Sequence, residues 1–451
     1  MMQLLCKYND EWIRLDLYHD FGLQLKHTNP LFAFDKLECE RTTEYKLPTT
    51  PTNDRVLSLA RIPAYNGTGM MVKFPAELQA GAIVMRGYMY VRQYDGKDYT
   101  AVLTVGDMVG LLRLKEAGKL PDIVGNDNAT FGVLTPYGAI YTLIQTLGYA
   151  NRLQNVGGVG RYGVDSTKCR PCISLYSLAV TYIMQMCGVG VNNMPTELRD
   201  LVYLPEKYVD SNGTTITTQG TACFAKYGVP KWSLSELLKQ IAYAGGYSLD
   251  YDGSELQFLN STSQLGRTID ITRKLTKRSN VIRSVGSMAQ HNRVVWKDYA
   301  EYRLSNYLAD YTIANNNIQA DNTLFTIDAQ PAQHVTAAEI EQVVALCWDE
   351  FATDAFTGRA IVPLGKEWLA FMVQGSLYLK PYDTYPQVPT NSLVKAVTDT
   401  ATQIGMEARM SMQEYIDIKN KDCIQVDNSV YVWTERSWQN DTAKFTLNKL
   451  A

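Results

Sequence analysis

Between about residue 10 and residue 120 the pattern of apolar and polar positions is dominated by strand signals. Trp12, Leu15 and Leu17 open the pattern, which continues through Leu23 and Leu25. Its clearest part is a hairpin. Runs over 85–94 and 99–105 flank Asp95-Gly96-Lys97-Asp98, and Asp-Gly between such runs predicts a tight turn because glycine accepts positive φ. In the second run Tyr99, Ala101, Leu103 and Val105 share one face.

The period then changes. Residues 136–148 and 173–187 read as helices, the second placing Leu175, Leu178, Ala179, Tyr182, Ile183 and Met186 at helical spacing before Gly188 as a natural stop. The glycine-rich stretch 157–163 and the Ser, Asn, Gly and Thr content of 209–220 predict loops. A second module begins near Phe224. There Ser233-Leu-Ser-Glu236 has capping-box spacing, predicting a helix to Ala244 with Leu234, Leu237, Leu238 and Ile241 as its buried stripe. Gly245-Gly246 should end it before a hairpin over 247–259 turned at Asp252-Gly253.

Alternation resumes after Ile269, through 281–285 and 294–302. Residues 336–356 predict a longer helix, Pro381, Pro386 and Pro389 an exposed connector, and 393–404 another helix. Strands are expected over 423–426, 430–434 and 445–450, and no fixed-period repeat of the solenoid or propeller kind is present. The whole reads as an α+β, β-rich chain: two barrel-like β modules with a helical insert and a C-terminal strand segment. The expected divisions are a barrel-like module over 1–125, a helical insert with loops over 126–223, and a second β module with a packed helix over 224–330. A helical and linker region over 331–390 has no assigned role, and 391–451 carries the last helix and strands.

Composition narrows the function classes. A chain of 451 residues is too long for one compact core and suggests roughly three modules. With 46% hydrophobic and 20% charged residues it lies in the range of chains that fold. A net charge of -3 with both signs interspersed gives no broad positive field, which argues against nucleic acid as a specific ligand. Tyr (29) outnumbers Phe (12), favouring half-buried sheet faces and contact surfaces where the hydroxyl stays hydrated. Lys7, Asp10, Glu11, Arg14 and Asp16 interrupt the N-terminal stretch, so no signal peptide is expected there. No run of about 18 apolar residues predicts a membrane anchor, and synthesis in a cytoplasm is expected. The eight cysteines, Cys6, Cys39, Cys169, Cys172, Cys187, Cys223, Cys347 and Cys423, are spread too thinly for a disulfide framework and are expected reduced.

No compact catalytic centre is legible. Gly158-Val-Gly160-Arg-Tyr-Gly163 matches a dinucleotide fingerprint as a string, yet it follows a helical pattern instead of a strand and runs into Cys169-Arg-Pro171. Six residues separate Gly358 from Gly365-Lys366 where a phosphate loop needs four, and Glu367 stands where Ser or Thr would hold Mg²⁺. Cys169-Arg-Pro-Cys172 has half-zinc-site or redox-pair spacing, and Cys187 and Cys223 are the thiols available to complete four. A second C-x-x-C is lacking. His19, His27, His291 and His334 stand singly, with no pair at i, i+2 or i, i+4.

Nucleophile and acid patterns are equally plain. G-x-S-x-G is absent, and Ser174, Ser177 and Ser235 lie in apolar-periodic helices with poor solvent access. Asp250/Asp252 and Asp349/Glu350 are explained by a turn and a solvated helix face, though a glycosidase pair drawn from distant positions is compatible with the sequence. The N-x-Ser/Thr matches at Asn66, Asn128, Asn212, Asn260 and Asn440 imply no glycan without a signal peptide. The expectation is a non-enzyme with no catalytic, cofactor-binding or metal residues.

The order of blocks is informative in itself. The run Arg41 to Asp54 followed by the hairpin region 82–105 resembles the opening of bacteriophage tail proteins of the baseplate hub class, from phages and prophages of gut bacteria. Pro230 to Phe258 is similar to a recurrent hub segment, a helix beside a hairpin. Ala289-Gln-His-Asn292 with the strand after it, and the closing strands over 424–450, fall where that class would place them. The resemblance is one of order and spacing, and 330–389 has no counterpart in it.

That resemblance implies two related β-barrel-like modules assembled as a homotrimer. It implies a virion structural protein, made in the host cytoplasm, that links tail tube to baseplate or tip alongside tail-tube, tape-measure and spike or tip proteins. It carries no catalytic residues over. Tyr, Trp and Met would serve the subunit contacts such a ring needs. From the β content, the abundant Tyr and the scattered acids alone, a carbohydrate-active or carbohydrate-binding protein is the alternative, and a zinc-stabilised module at Cys169 and Cys172 is a third reading.

Overall fold

The structure is a computed structural model that describes residues 2–31, 37, 41–57, 72–81, 83–104, 108–124, 173–199, 201–204, 226, 228–251, 255–260, 265–278, 289–296, 307–312, 321–328, 330–331, 351–353, 360–363, 368–372, 379–381 and 403–450. The chain is α+β and β-rich. Its main element is a 14-stranded sheet shared by the two ends of the chain. From one edge the order is Leu275–Arg278, Gln403–Arg409, Thr442–Lys449, Ser429–Gln439, Leu25–Thr28 and Arg41–Thr42. It continues through Asp98–Thr104, Ile83–Tyr94, Val72–Ala80, Met2–Tyr8 and Glu11–Arg14. Tyr45–Pro48 also pairs with Asp98–Thr104, Cys423–Val426 with Ser429–Gln439, and Thr268–Asp270 joins Cys423–Val426 in parallel.

The closed, barrel-like modules expected from the sequence are not seen. Among the described residues no pairing joins the outer strands Leu275–Arg278 and Glu11–Arg14, so the sheet is open. The N-terminal strands instead find partners at the other end of the chain. Leu25, Lys26, His27 and Thr28 stand opposite Trp438, Ser437, Arg436 and Glu435. One apolar cluster spans this seam, with Leu4, Leu25, Leu47, Met89 and Tyr99 packed with Ile271, Ile404, Trp433, Trp438 and Leu447. Each Leu-sized side chain removed from water contributes about 1.5–3 kcal/mol, so burial across the seam binds the ends together.

Hairpin turns set the register. At 95–98, Gly96 has φ +93, and Asp95 Oδ1 accepts from the N–H of Lys97 (2.9 Å) and Asp98 (2.7 Å). Two further hairpins turn on the same dipeptide. Asn9-Asp10 has φ of 47 and 66, and Asn440-Asp441 has φ of 49 and 57. Two consecutive positive φ values are what a tight two-residue hairpin loop requires, and Asn and Asp tolerate them best after glycine. Neither turn was expected from the sequence.

The Leu234–Ala244 helix is as the sequence predicts. Ser233 Oγ accepts from Glu236 N, the Glu236 carboxylate accepts from Ser233 N, and Leu234, Leu237, Leu238 and Ile241 are all fully buried. Gly246 follows with φ +72, and Tyr247–Tyr251 pairs with Leu256–Asn260 as the expected hairpin. Trp232 Nε1 donates to Asp328 Oδ2 (2.9 Å) and Gln240 Oε1 accepts from Asp328 N (3.0 Å), tying this helix to a three-stranded sheet of His291–Trp296, Tyr307–Thr312 and Asp321–Ile327.

Elsewhere the predicted period fails. Ile173–Ser174 is a strand, Ser174 caps a short helix Leu175–Leu178, and Ala179–Cys187 is a π-helix ending at Gly188 with φ +70. The wider π turn buries Cys187 and leaves Met186 49% exposed, although α-helical spacing put Met186 on the buried face. Phe351–Thr353, the predicted end of a long helix, is a strand paired with Ala360–Pro363. Gln403 and Ile404, the predicted end of another helix, belong to the Gln403–Arg409 strand, whose full-length pairing with Thr442–Lys449 outweighs local helical spacing.

Pro381 ends the Leu379–Pro381 strand rather than standing in a connector. The predicted helix 136–148, the loops 157–163 and 209–220, the turn at Asp252-Gly253, the strand 281–285 and residues 297–302 lie outside the described residues. So do helix residues 336–350 and 393–402, and Pro386 and Pro389.

Candidate functional site

The seam between the chain ends also assembles polar side chains from three distant segments. A bulge between Trp433 and Glu435 breaks the sheet register, and the Thr434 carbonyl it frees accepts from Asn29 N (2.8 Å). Asn29 is fully buried. Its Nδ2 donates to the carbonyls of Asn420 (2.9 Å) and Trp433 (2.9 Å), and its Oδ1 accepts from Leu31 N (3.1 Å). Asn29 therefore clips the 419–421 loop onto the sheet beside His27.

That loop carries the next link. Asn420 Nδ2 donates to Asp250 Oδ2 (2.6 Å), so its Oδ1 is the acceptor facing His27 Nε2 at 3.0 Å. The imidazole therefore carries its proton on Nε2. Across the strand pair stands Arg436, buried to 4% exposure, with its guanidinium 4.5 Å from the Tyr415 ring centroid and 4.8 Å from that of Trp433. Its Nη1 donates to the Tyr415 carbonyl, and Tyr415 Oη returns a bond to the Arg436 carbonyl (3.2 Å). Two aromatic faces thus hold a permanent cation in place.

The electrostatic consequence falls on His27. Burial, and then the Arg436 charge, hold its pKa down at about 4, with the Asn420 bond pulling the other way. Around these groups opens a cleft of about 360 Å³ lined by His27, Asp250, Tyr251, Leu259, Ile416, Ile418, Lys419, Asn420, Lys421 and Arg436. Near neutral pH it combines a neutral imidazole, one carboxylate and three cations. Such a site can bind and orient a ligand, while a histidine of low proton affinity with its Nε2–H already donated is a poor general base.

Of the candidate residues singled out in sequence, His27 and Asp250 line this cleft and the other described ones do not. Cys169, Cys172, Cys223, His334, the Gly158–Gly163 string, Gly358, Gly365, Lys366, Asp252, Asp349 and Glu350 lie outside the described residues. Burial pushes the thiols of Cys6 up to about 12 and Cys423 up to about 11, and raises that of Cys187. Ser174 serves as a helix cap and Ser235 Oγ lies 3.1 Å from Ser233 Oγ. Asn440 forms a hairpin turn. His291 Nδ1 lies 3.4 Å from Thr312 Oγ1. Among the described residues no group of three or more His, Cys, Asp or Glu is placed to hold a metal, and no helix is long and apolar enough to cross a membrane. His27 and Asp250 were noticed individually in sequence; Asn29, Asn420 and Arg436 carry no local signal.

No known protein family matches the chain, and no curated protein matches it. Solved structures that align along nearly its whole length include two prophage tail proteins and a VgrG complex. The prophage MuSo2 43 kDa tail protein from Shewanella oneidensis aligns at 10% identity and TM-score 0.41, over 99% of this chain and 98% of that one. Prophage tail protein gp18 from Listeria monocytogenes EGD-e aligns at 9% identity and TM-score 0.35, over 99% and 94%. A Francisella PdpA-VgrG complex structure aligns at 7% identity and TM-score 0.38, over all of this chain (100%) and 58% of that one.

Proposed function

We propose that this chain is a structural protein of a phage or prophage tail, a hub that joins the tail tube to the baseplate or tip and acts by assembly instead of catalysis. The observation that carries the reading is the open 14-stranded sheet. Its outer strand Glu11–Arg14 presents Trp12 at 43% exposure, and an outer strand with an exposed aromatic is a template for a neighbouring chain. The order of sequence blocks, which resembles the baseplate hub class, supports the same role. It also supports a homotrimer, in which head-to-tail contacts close a ring. Partners of this kind are tail-tube, tape-measure and spike or tip proteins, and the place of work is the virion tail after synthesis in the host cytoplasm.

Sedimentation equilibrium of the full chain is expected to give the mass of three chains, and Trp12→Glu to shift the population toward monomer. A single-chain mass at every concentration would remove the hub reading. A carbohydrate-active site needs a deep cleft lined by aromatic side chains such as tryptophan, with two facing carboxylates. The cleft at His27 is lined by Asp250 alone among carboxylates and by no tryptophan, so it does not favour that reading.

A further inference from the structure

We propose that the cleft between His27, Asn420 and Arg436 is a binding site for a small oxyanion, a carboxylate or phosphate group. The charge of the lining is the first support: Lys419, Lys421 and Arg436 against the single carboxylate Asp250. Geometry is the second. Arg436 is held between Tyr415 and Trp433 and stands opposite His27 in the strand register, so the cation does not have to be ordered when a ligand arrives. Asp250 is drawn to Asn420 Nδ2 at 2.6 Å, which engages part of its charge on the protein side. The volume of about 360 Å³ lies at the small end of the range of ligand sites.

Three segments far apart in sequence line the cleft: His27 on its strand, Asp250, Tyr251 and Leu259 on the hairpin after the capped helix, and the stretch from Ile416 to Lys421 with Arg436 on the strand paired with that of His27. A ligand seated there touches all three and stabilises the folded chain by mass action. An oxyanion beside Arg436 also offsets the positive field that disfavours the imidazolium, so it raises the proton affinity of His27. A neutral ligand leaves that field in place. This difference separates an anion from a sugar in the same cleft.

The test follows the His27 imidazole of the full chain by NMR at fixed ionic strength during titration with inorganic phosphate, acetate and glucose in turn. The expected result is a saturable shift with phosphate or acetate, an upward move of the His27 pKa at saturation, and no saturable shift with glucose. Whichever anion binds more tightly tells phosphate from carboxylate. Replacing both loop lysines, Lys419→Ala with Lys421→Ala, is expected to weaken anion binding by at least about tenfold, the scale of one hydrogen bond to a charged group. Lys419 is exposed and Lys421 half-buried, and the wild-type titration decides the question even if the double variant folds poorly. No saturable anion shift, or an equal response to glucose, would overturn the assignment, and either result leaves the oligomer mass as an independent test of the hub reading.

Discussion

The stability of the large sheet is expected to fall steeply with pH between about pH 6.5 and pH 4, because His27 must stay neutral to fit its place. The ordinary histidine value is 6.5, and in the folded chain burial and Arg436 hold it down at about 4. With the folded value below the unfolded one, the unfolded chain binds the extra proton in this window. Stability is therefore full above the unfolded value and is lost as pH falls toward the folded one. Between about pH 7.5 and about pH 5 the linkage amounts to about 2 kcal/mol, and it approaches about 3 kcal/mol below pH 4.

The groups that set this environment come from every side: Arg436 on the paired strand, Asn420 and Asp250 through their hydrogen bonds, and Lys419 and Lys421 along the cleft. The matching variant is His27→Gln, whose amide can still donate toward Asn420 Oδ1 but cannot take a proton. Urea unfolding followed by far-ultraviolet circular dichroism at the two pH values gives the readout. Carboxylates elsewhere titrate alike in both proteins and cancel. Wild type should lose about 2 kcal/mol more than the variant on acidification, and equal losses in the two proteins would refute the reasoning.

The helix caps offer a second check. Ser411 caps the short helix Met412–Ile416 through a reciprocal pair with Glu414, as Ser233 does with Glu236, and Ser233→Ala and Ser411→Ala should each lower stability by about 1 kcal/mol in the same unfolding experiment. At Gly245, a Cβ would meet Leu198 Cδ2 and lie 2.9 Å from Tyr247 Cδ2, so Gly245→Ala should cost about 1–3 kcal/mol by overpacking. A stability unchanged at Gly245 would mean that Leu198 moves aside without penalty.

Much of the local structure is written in short stretches of chain. Ser233 and Glu236 three residues apart define a helix start because each satisfies the other's backbone N–H, and the strand expected over 423–426 returns as Cys423–Val426. Asp95-Gly96 does the same for a turn. The Asn-Asp pairs at 9–10 and 440–441 were equally legible in principle, since both residues accept positive φ, but the glycine-centred turn rule overlooked them. At Gln403–Ile404 and Phe351–Thr353 local spacing misled, because partners remote in sequence decide whether a short apolar run becomes strand or helix.

The sequence by itself determined the β-rich class, the capped helix with its buried stripe, and the C-terminal strands, all of which depend on neighbours within a turn or two. Only the tertiary structure decided that the first and last strands share one open sheet. Only it brought His27 within 3.0 Å of Asn420, 393 positions away, and set Arg436 opposite His27. The physical reason is the range of the forces involved. Backbone dihedral preference and capping act over a few residues, whereas burial and charge act through space between any residues that the packed chain brings together.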